Sequence, residues 1–160
     1  MSLEATILLT LAVPLAGAVL ILLSGRHPNL REAVTLATAG ILLLLVALLV
    51  PTVMAGGRPA VALGEMLPGL RIAFVVEPLG MMFAAIASFL WIVTSVYSIG
   101  YMRGHGEGNQ TRFYAFFAIA LASVMGVAFA GNMLTLFIFY EVLTISTFPL
   151  VTHAGSEEAK

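Results

Sequence analysis

Apolar residues dominate the chain in five long runs, separated by short polar stretches. The runs cover residues 3–24, 33–54, 79–100, 113–130 and 133–151. Each is long enough to cross a bilayer, because about 20 residues at 1.5 Å per residue span a ~30 Å hydrocarbon core. The pattern predicts an all-α polytopic membrane protein with five transmembrane helices. A secretory signal peptide would open on basic residues, whereas the first charge here is Glu4, so the first run reads as a retained helix. Pro14 lies inside that run, where a kink is expected, and Pro51 stands where the second should stop or bend.

The polar stretches have their own patterns. Gly25–Glu32 reads as a short turn carrying Arg26, His27 and Arg31. Residues 55–78 form the longest connection; within it LRIAFVV alternates from Leu70 to Val76, which predicts a short strand or hairpin at the membrane surface. Gly100–Arg112 is a glycine-rich loop, and Gly131-Asn132 a turn so tight that the fourth and fifth runs must be antiparallel neighbours. In the fourth run Ala118, Ala122, Gly126 and Ala130 recur every four residues, a small-residue stripe suited to close helix packing. Tyr97 and Tyr101 fit an interfacial aromatic belt. At the end, Ser156 followed by Glu157 and Glu158 reads as the capped start of a sixth helix. The expectation is a single membrane domain over 1–160 that is a truncated or split form of a longer protein.

Composition supports the membrane reading: 61% of residues are hydrophobic and only 9% charged, against about 25% charged in soluble domains. A net charge of −1 without a basic patch excludes a nucleic-acid partner. With no Cys, the chain cannot build a disulfide, a thiolate zinc site or an iron–sulfur cluster. No cofactor and no metal site is expected.

One residue breaks the apolar pattern. Glu141 sits near the middle of the fifth run, LTLFIFYEVLTISTFP. Placing an ionisable side chain at a helix centre in a bilayer costs about 2.5–3.5 kcal/mol for Asp, Lys or Arg, so such a residue is retained for a use. Helical spacing puts Phe137, Ile138, Thr144, Ile145 and Phe148 beside it, and only Thr144 is polar. Pro149 leaves the carbonyl of Ile145 without its helical donor. His153, at the end of the same run, suits proton exchange with water. Glu141 is read as a proton-relay carboxylate, with Thr144, Pro149 and His153 in support. No Lys, Arg or His falls within the predicted spans, so its partner must be water, another chain or a further segment. The alternative is a protonated, buried, structural carboxylate.

Other motifs carry less. Gly104, Gly106 and Gly108 form a GxGxG without a preceding strand, and Asn109-Gln110-Thr111 is a sequon on the side assigned to the cytoplasm. The three histidines are not placed for a bis-histidine haem. Five of the seven Lys and Arg lie on one side of the predicted topology (Arg26, Arg31, Arg103, Arg112, Lys160) and two on the other (Arg58, Arg71). The positive-inside rule then puts the N-terminus outside and the C-terminus in the cytoplasm of a bacterial inner membrane.

The stretches VYSIGYMRGH and RFYAFFAIALASVMGVAFAGNMLTLFIFYEVLTISTFPLVTH resemble the antiporter-like membrane subunits. These include subunits of Mrp-type sodium/proton antiporters, the proton-pumping subunits of respiratory complex I, and membrane arms of related hydrogenases. The match is strongest to the D-type Mrp subunit, and Tyr140-Glu141 stands where the family often has Trp-Glu. Glu77 departs from the Asp of many relatives. The resemblance implies about fourteen helices built around two inverted five-helix repeats, of which this chain holds the N-terminal part. It also implies that a glutamate matching Glu141 pairs with a lysine on a later, broken helix. The implied function is an ion-translocating subunit, moving protons or exchanging sodium for protons within an Mrp-like or complex I-like assembly in the lipid bilayer. The resemblance implies a transporter subunit and not an enzyme. The alternative is a non-transporting membrane anchor of a redox or hydrogenase-type complex.

Overall fold

The computed structural model describes residues 2–67, 69–106 and 108–152. Their order is α1 (Leu3–Leu23), α2 (Pro28–Met54), β1 (Ala60–Leu67), β2 (Leu70–Val75), α3 (Pro78–His105), α4 (Gln110–Ala128) and α5 (Met133–Val151). All five helices are long and apolar enough to cross a membrane. The start of a sixth helix expected near Ser156 lies outside the described residues.

Local chemistry explains where the helices begin. The Ser2 side chain accepts from the Ala5 N–H, capping α1, and Glu4 sits in its positive first turn. Pro28 and Pro78 open α2 and α3 at positions where a missing N–H costs nothing. Asn132 caps α5 by accepting from the Thr135 N–H at 2.8 Å. The helices run through both expected break points: α1 is continuous across Pro14, and α2 continues past Pro51 to Met54. With no water in the bilayer core, the helix is the cheapest state for the surrounding backbone, and it persists around a proline.

Helices α2 and α3, with 27 and 28 residues, are ~40 Å long and overrun a ~30 Å core. Their ends therefore reach headgroup level. This corrects the sequence reading of the polar turn at 25–32. Helix α2 starts at Pro28, so Arg31 and Glu32 belong to a helix and are buried. Likewise α3 runs on through Arg103 to His105 and ends on Gly106, which adopts φ +62°, a conformation glycine reaches without strain.

Helix α4 lies between α1 and α5. Its small-residue stripe makes that possible: Ala118, Ala122 and Gly126 are all buried. A Cβ added at Gly126 would collide with the Phe139 ring of α5. The expected hairpin is present, with Leu70–Val75 as one strand and Ala60–Leu67, unread in the sequence, as its antiparallel partner. The α4–α5 connection lies along the other edge of β2. The Gly131 N–H donates to Ala73 O and the Val75 N–H to Phe129 O, both at 2.8 Å. The Asn132 amide donates to Arg71 O, and the Ala73 N–H donates to Thr135 Oγ1. The tight Gly131-Asn132 turn is thus held by the hairpin beneath it.

Candidate functional site

Helix α5 uses one face to pack and leaves the other bare. Phe139 turns inward against Gly126 and meets Phe74 edge-on at 5.5 Å between ring centroids. Thr135 and Ser146 are the buried residues of this helix. The opposite face carries Phe137, Tyr140, Glu141, Thr144, Ile145 and Phe148, where Glu141 and its large apolar neighbours stand exposed. Glu141 therefore points away from this chain's own bundle. No described residue forms a hydrogen bond or ion pair with its carboxylate.

The supporting residues are less concentrated than their spacing suggested. The Thr144 hydroxyl donates to Tyr140 O at 3.0 Å, back along its own helix, and not to Glu141. Thr147 and Ser146 likewise donate to Thr144 O and Leu143 O. Three hydroxyls in two turns thus turn onto the α5 backbone, a pattern that loosens and bends helices. Pro149 lies in the last turn and is half-buried. His153 lies outside the described residues. Chemically, the bare face offers one carboxyl group in an aromatic and aliphatic surround.

A second polar cluster, not found from the sequence, lies at the end of the bundle where α1 turns into α2 and α3 into α4. Glu32 is gripped by a two-pronged guanidinium: Arg103 Nε donates to one carboxylate oxygen at 2.9 Å and Nη2 to the other at 2.6 Å. Arg103 Nη2 also donates to Asn29 Oδ1 at 2.5 Å. Arg31 donates to Gln110 Oε1 at 2.7 Å and Thr111 Oγ1 at 3.1 Å, with its guanidinium 5.5 Å from the centre of the Tyr114 ring. Three helices are thereby tied at one node. Forked Arg–carboxylate pairs are strong and geometrically specific. Two buried polar atoms there, Arg31 Nε and Tyr114 Oη, find no partner among the described residues. A lone unpaired polar group typically costs about 1–3 kcal/mol. The sequence signal for this node was the Pro28 helix start, which puts Arg31 and Glu32 in the first turn of α2 and so on its packed surface.

At the opposite end Arg58 and Glu77 form an exposed ion pair at 3.1 Å, beside the hairpin that carries Arg71. The structure thus sorts the described basic side chains Arg31 and Arg103 to one end, and Arg58 and Arg71 to the other. Among the described residues no group of His, Cys, Asp or Glu is arranged to hold a metal ion.

No family model matches the chain. It is 27% identical over 152 residues to the D-type subunit of the Na(+)/H(+) antiporter of Alkalihalophilus pseudofirmus, covering 94% of this chain and 30% of that protein. It is 27% identical over 88 residues to the N-type subunit of the NADH-quinone oxidoreductase of Desulforudis audaxviator, covering 55% of this chain and 18% of that protein. In fold it is similar to a chain of the Mrp complex from Dietzia sp. DQ12-45-1b, with a TM-score of 0.79 and 23% identity over 95% of this chain and 28% of that one. A chain of the archaeal membrane-bound sulfane sulfur reductase gives a TM-score of 0.75 at 22% identity, over 89% of this chain and 22% of that one. The chain spans less than a third of the length of these relatives. The resemblance to antiporter-like membrane subunits, read from the residues around Glu141, is borne out by sequence and by fold.

Proposed function

We propose that this chain is the N-terminal, five-helix part of an ion-translocating subunit in a multi-subunit membrane assembly, with Glu141 as its proton relay. One observation carries the reading. Glu141 is the single charge on a bare face of α5, at mid-helix, with no partner among the described residues. Charged side chains at membrane depth face protein or hydrated cavities and pair there, because lipid cannot solvate them. That face is therefore where further helices dock, whether from the rest of a longer chain or from a partner subunit. A cation on the docking helix would lower the carboxyl's proton affinity and desolvation would raise it, so movement of that cation would drive uptake and release. The translocated ions are protons, with sodium exchanged where the assembly works as its antiporter relatives are named to do.

The arginine distribution supports an N-terminus outside and the 101–112 loop in the cytoplasm of a bacterial inner membrane. The likeness in fold to a respiratory complex favours one alternative, a non-transporting membrane anchor in a redox-driven assembly. Transport by the Glu141→Gln variant, measured in native membrane vesicles, separates the two. The relay reading predicts loss of transport with normal insertion and assembly. Transport at the unsubstituted rate would leave the anchor reading standing.

A further inference from the structure

Glu141 faces away from the bundle, and its direction depends on the rotation of α5 about its own axis. For a helix in a bilayer that rotation is set by packing against neighbours and by anchors near the membrane surface. At 3.6 residues per turn, Thr135, Phe139 and Ser146 lie about 120–160° around α5 from Glu141. They form the inner face opposite the carboxylate, and each is held differently. Ser146 is buried, but its hydroxyl is occupied by Leu143 O of its own helix at 2.9 Å. Thr135 reaches across: its Oγ1 accepts from the Ala73 N–H of β2 at 3.0 Å. The Asn132 amide donates to Arg71 O on the same strand at 2.7 Å. These two bonds fix the first turn of α5, more than a turn before Glu141.

Phe139 is much nearer, two residues before Glu141 and almost diametrically opposite it. It is held by shape. Gly126 of α4 has no side chain, and the Phe139 ring occupies the place where its Cβ would be. Phe74 of β2, 1% exposed, meets the same ring at an interplanar angle of 65° with centroids 5.5 Å apart. Such edge-to-face pairs favour a particular orientation beyond the area they bury. Turning α5 would lift the ring out of this seat. Beyond Glu141 the helix is softer, because the Thr144, Ser146 and Thr147 hydroxyls bond to its own backbone.

We propose that Phe139 is the positioning residue for Glu141. Its ring, seated between Gly126 and Phe74, sets the rotation of α5 that aims the carboxylate out of the bundle. Through Phe74 the hairpin shares in aiming a group at mid-helix. The consequence for transport rests on the proton-relay reading of Glu141; the orienting of α5 does not.

The chain has no cysteine, so spin labels can be placed on introduced thiols at Ile145 of α5 and Leu44 of α2, both exposed. Pulsed electron resonance then reads their separation in the protein within its native assembly. Phe139→Ala should displace the distance distribution by several ångström and lower transport about tenfold or more, since small misplacements of a reacting group are costly. Phe139→Met, which refills the seat with an adaptable apolar side chain, should restore both. Ile21→Ala opens a cavity at a fully buried position of α1 and should leave the distribution in place. An unmoved distribution in Phe139→Ala would overturn the proposal, as would an equal displacement in Ile21→Ala. A displaced distribution with undiminished transport would uphold Phe139 as the residue that orients α5 and count against the relay reading of Glu141 instead.

Discussion

At the scale of single residues, the chain separates chemistry from scaffolding. Glu141 was legible in the sequence because a charge in an apolar run stands out. What could not be read was its direction, since helical periodicity gives neighbours on one helix but not what lies across from it. Thr144 shows the same limit: spacing put it beside Glu141, yet its hydroxyl is spent on Tyr140 O. Scaffolding residues give sharper expectations. Gly126→Leu inserts a side chain where the Phe139 ring sits; overpacking of this kind should destabilise the α4–α5 contact by about 1–3 kcal/mol. The measurement is the thermal unfolding midpoint in detergent, with Gly100→Leu, where a Cβ meets nothing, expected to change it far less. Thr135→Val leaves the Ala73 N–H without its side-chain acceptor and should cost about 1–3 kcal/mol by the same assay.

At the scale of elements, the five helices and the β2 strand could be read directly, because long apolar runs and strict alternation are strong signals. Helix ends were not. The polar residues 28–32 looked like turn, yet Pro28 at the first helical position starts α2 before the polar run ends. That shift moved Arg31 and Glu32 from a solvated loop into a buried node with Arg103, Gln110 and Tyr114. The partner strand β1 was hidden by the glycines and Pro59 around it, and its irregular register at Glu65 breaks the alternation that would have revealed it. The small-residue stripe on α4 was read correctly as a packing surface over Ala118, Ala122 and Gly126. Ala130 lies beyond the helix and pairs instead with Phe74 of the hairpin. The hairpin thus braces the α4–α5 turn and, through it, the depth of α5 in the bilayer. Shortening the hairpin should therefore impair transport even though Glu141 is untouched, which vesicle assays of a hairpin-deleted chain can check.

At the scale of the whole molecule, one side of the bundle is closed and one is open. Helix α1 packs against both α2 and α4, while α5 presents the Glu141 carboxylate outward. The polar node and the hairpin mark the two ends of the bundle. With a cytoplasmic node, a membrane-impermeant thiol reagent should label a cysteine placed at Gly108 from the cytoplasmic face, and one placed at Gly56 from outside. The reverse pattern would invert the topology.

The proton exchange proposed for Glu141 has a direct spectroscopic signature. Infrared difference spectroscopy of the assembly across its working cycle reads this directly. With Glu141 as the relay, a carboxyl C=O band should appear and disappear with ion translocation and be missing from the Glu141→Gln protein. A band that persists unchanged in that variant, in an assembly that still transports, would contradict it.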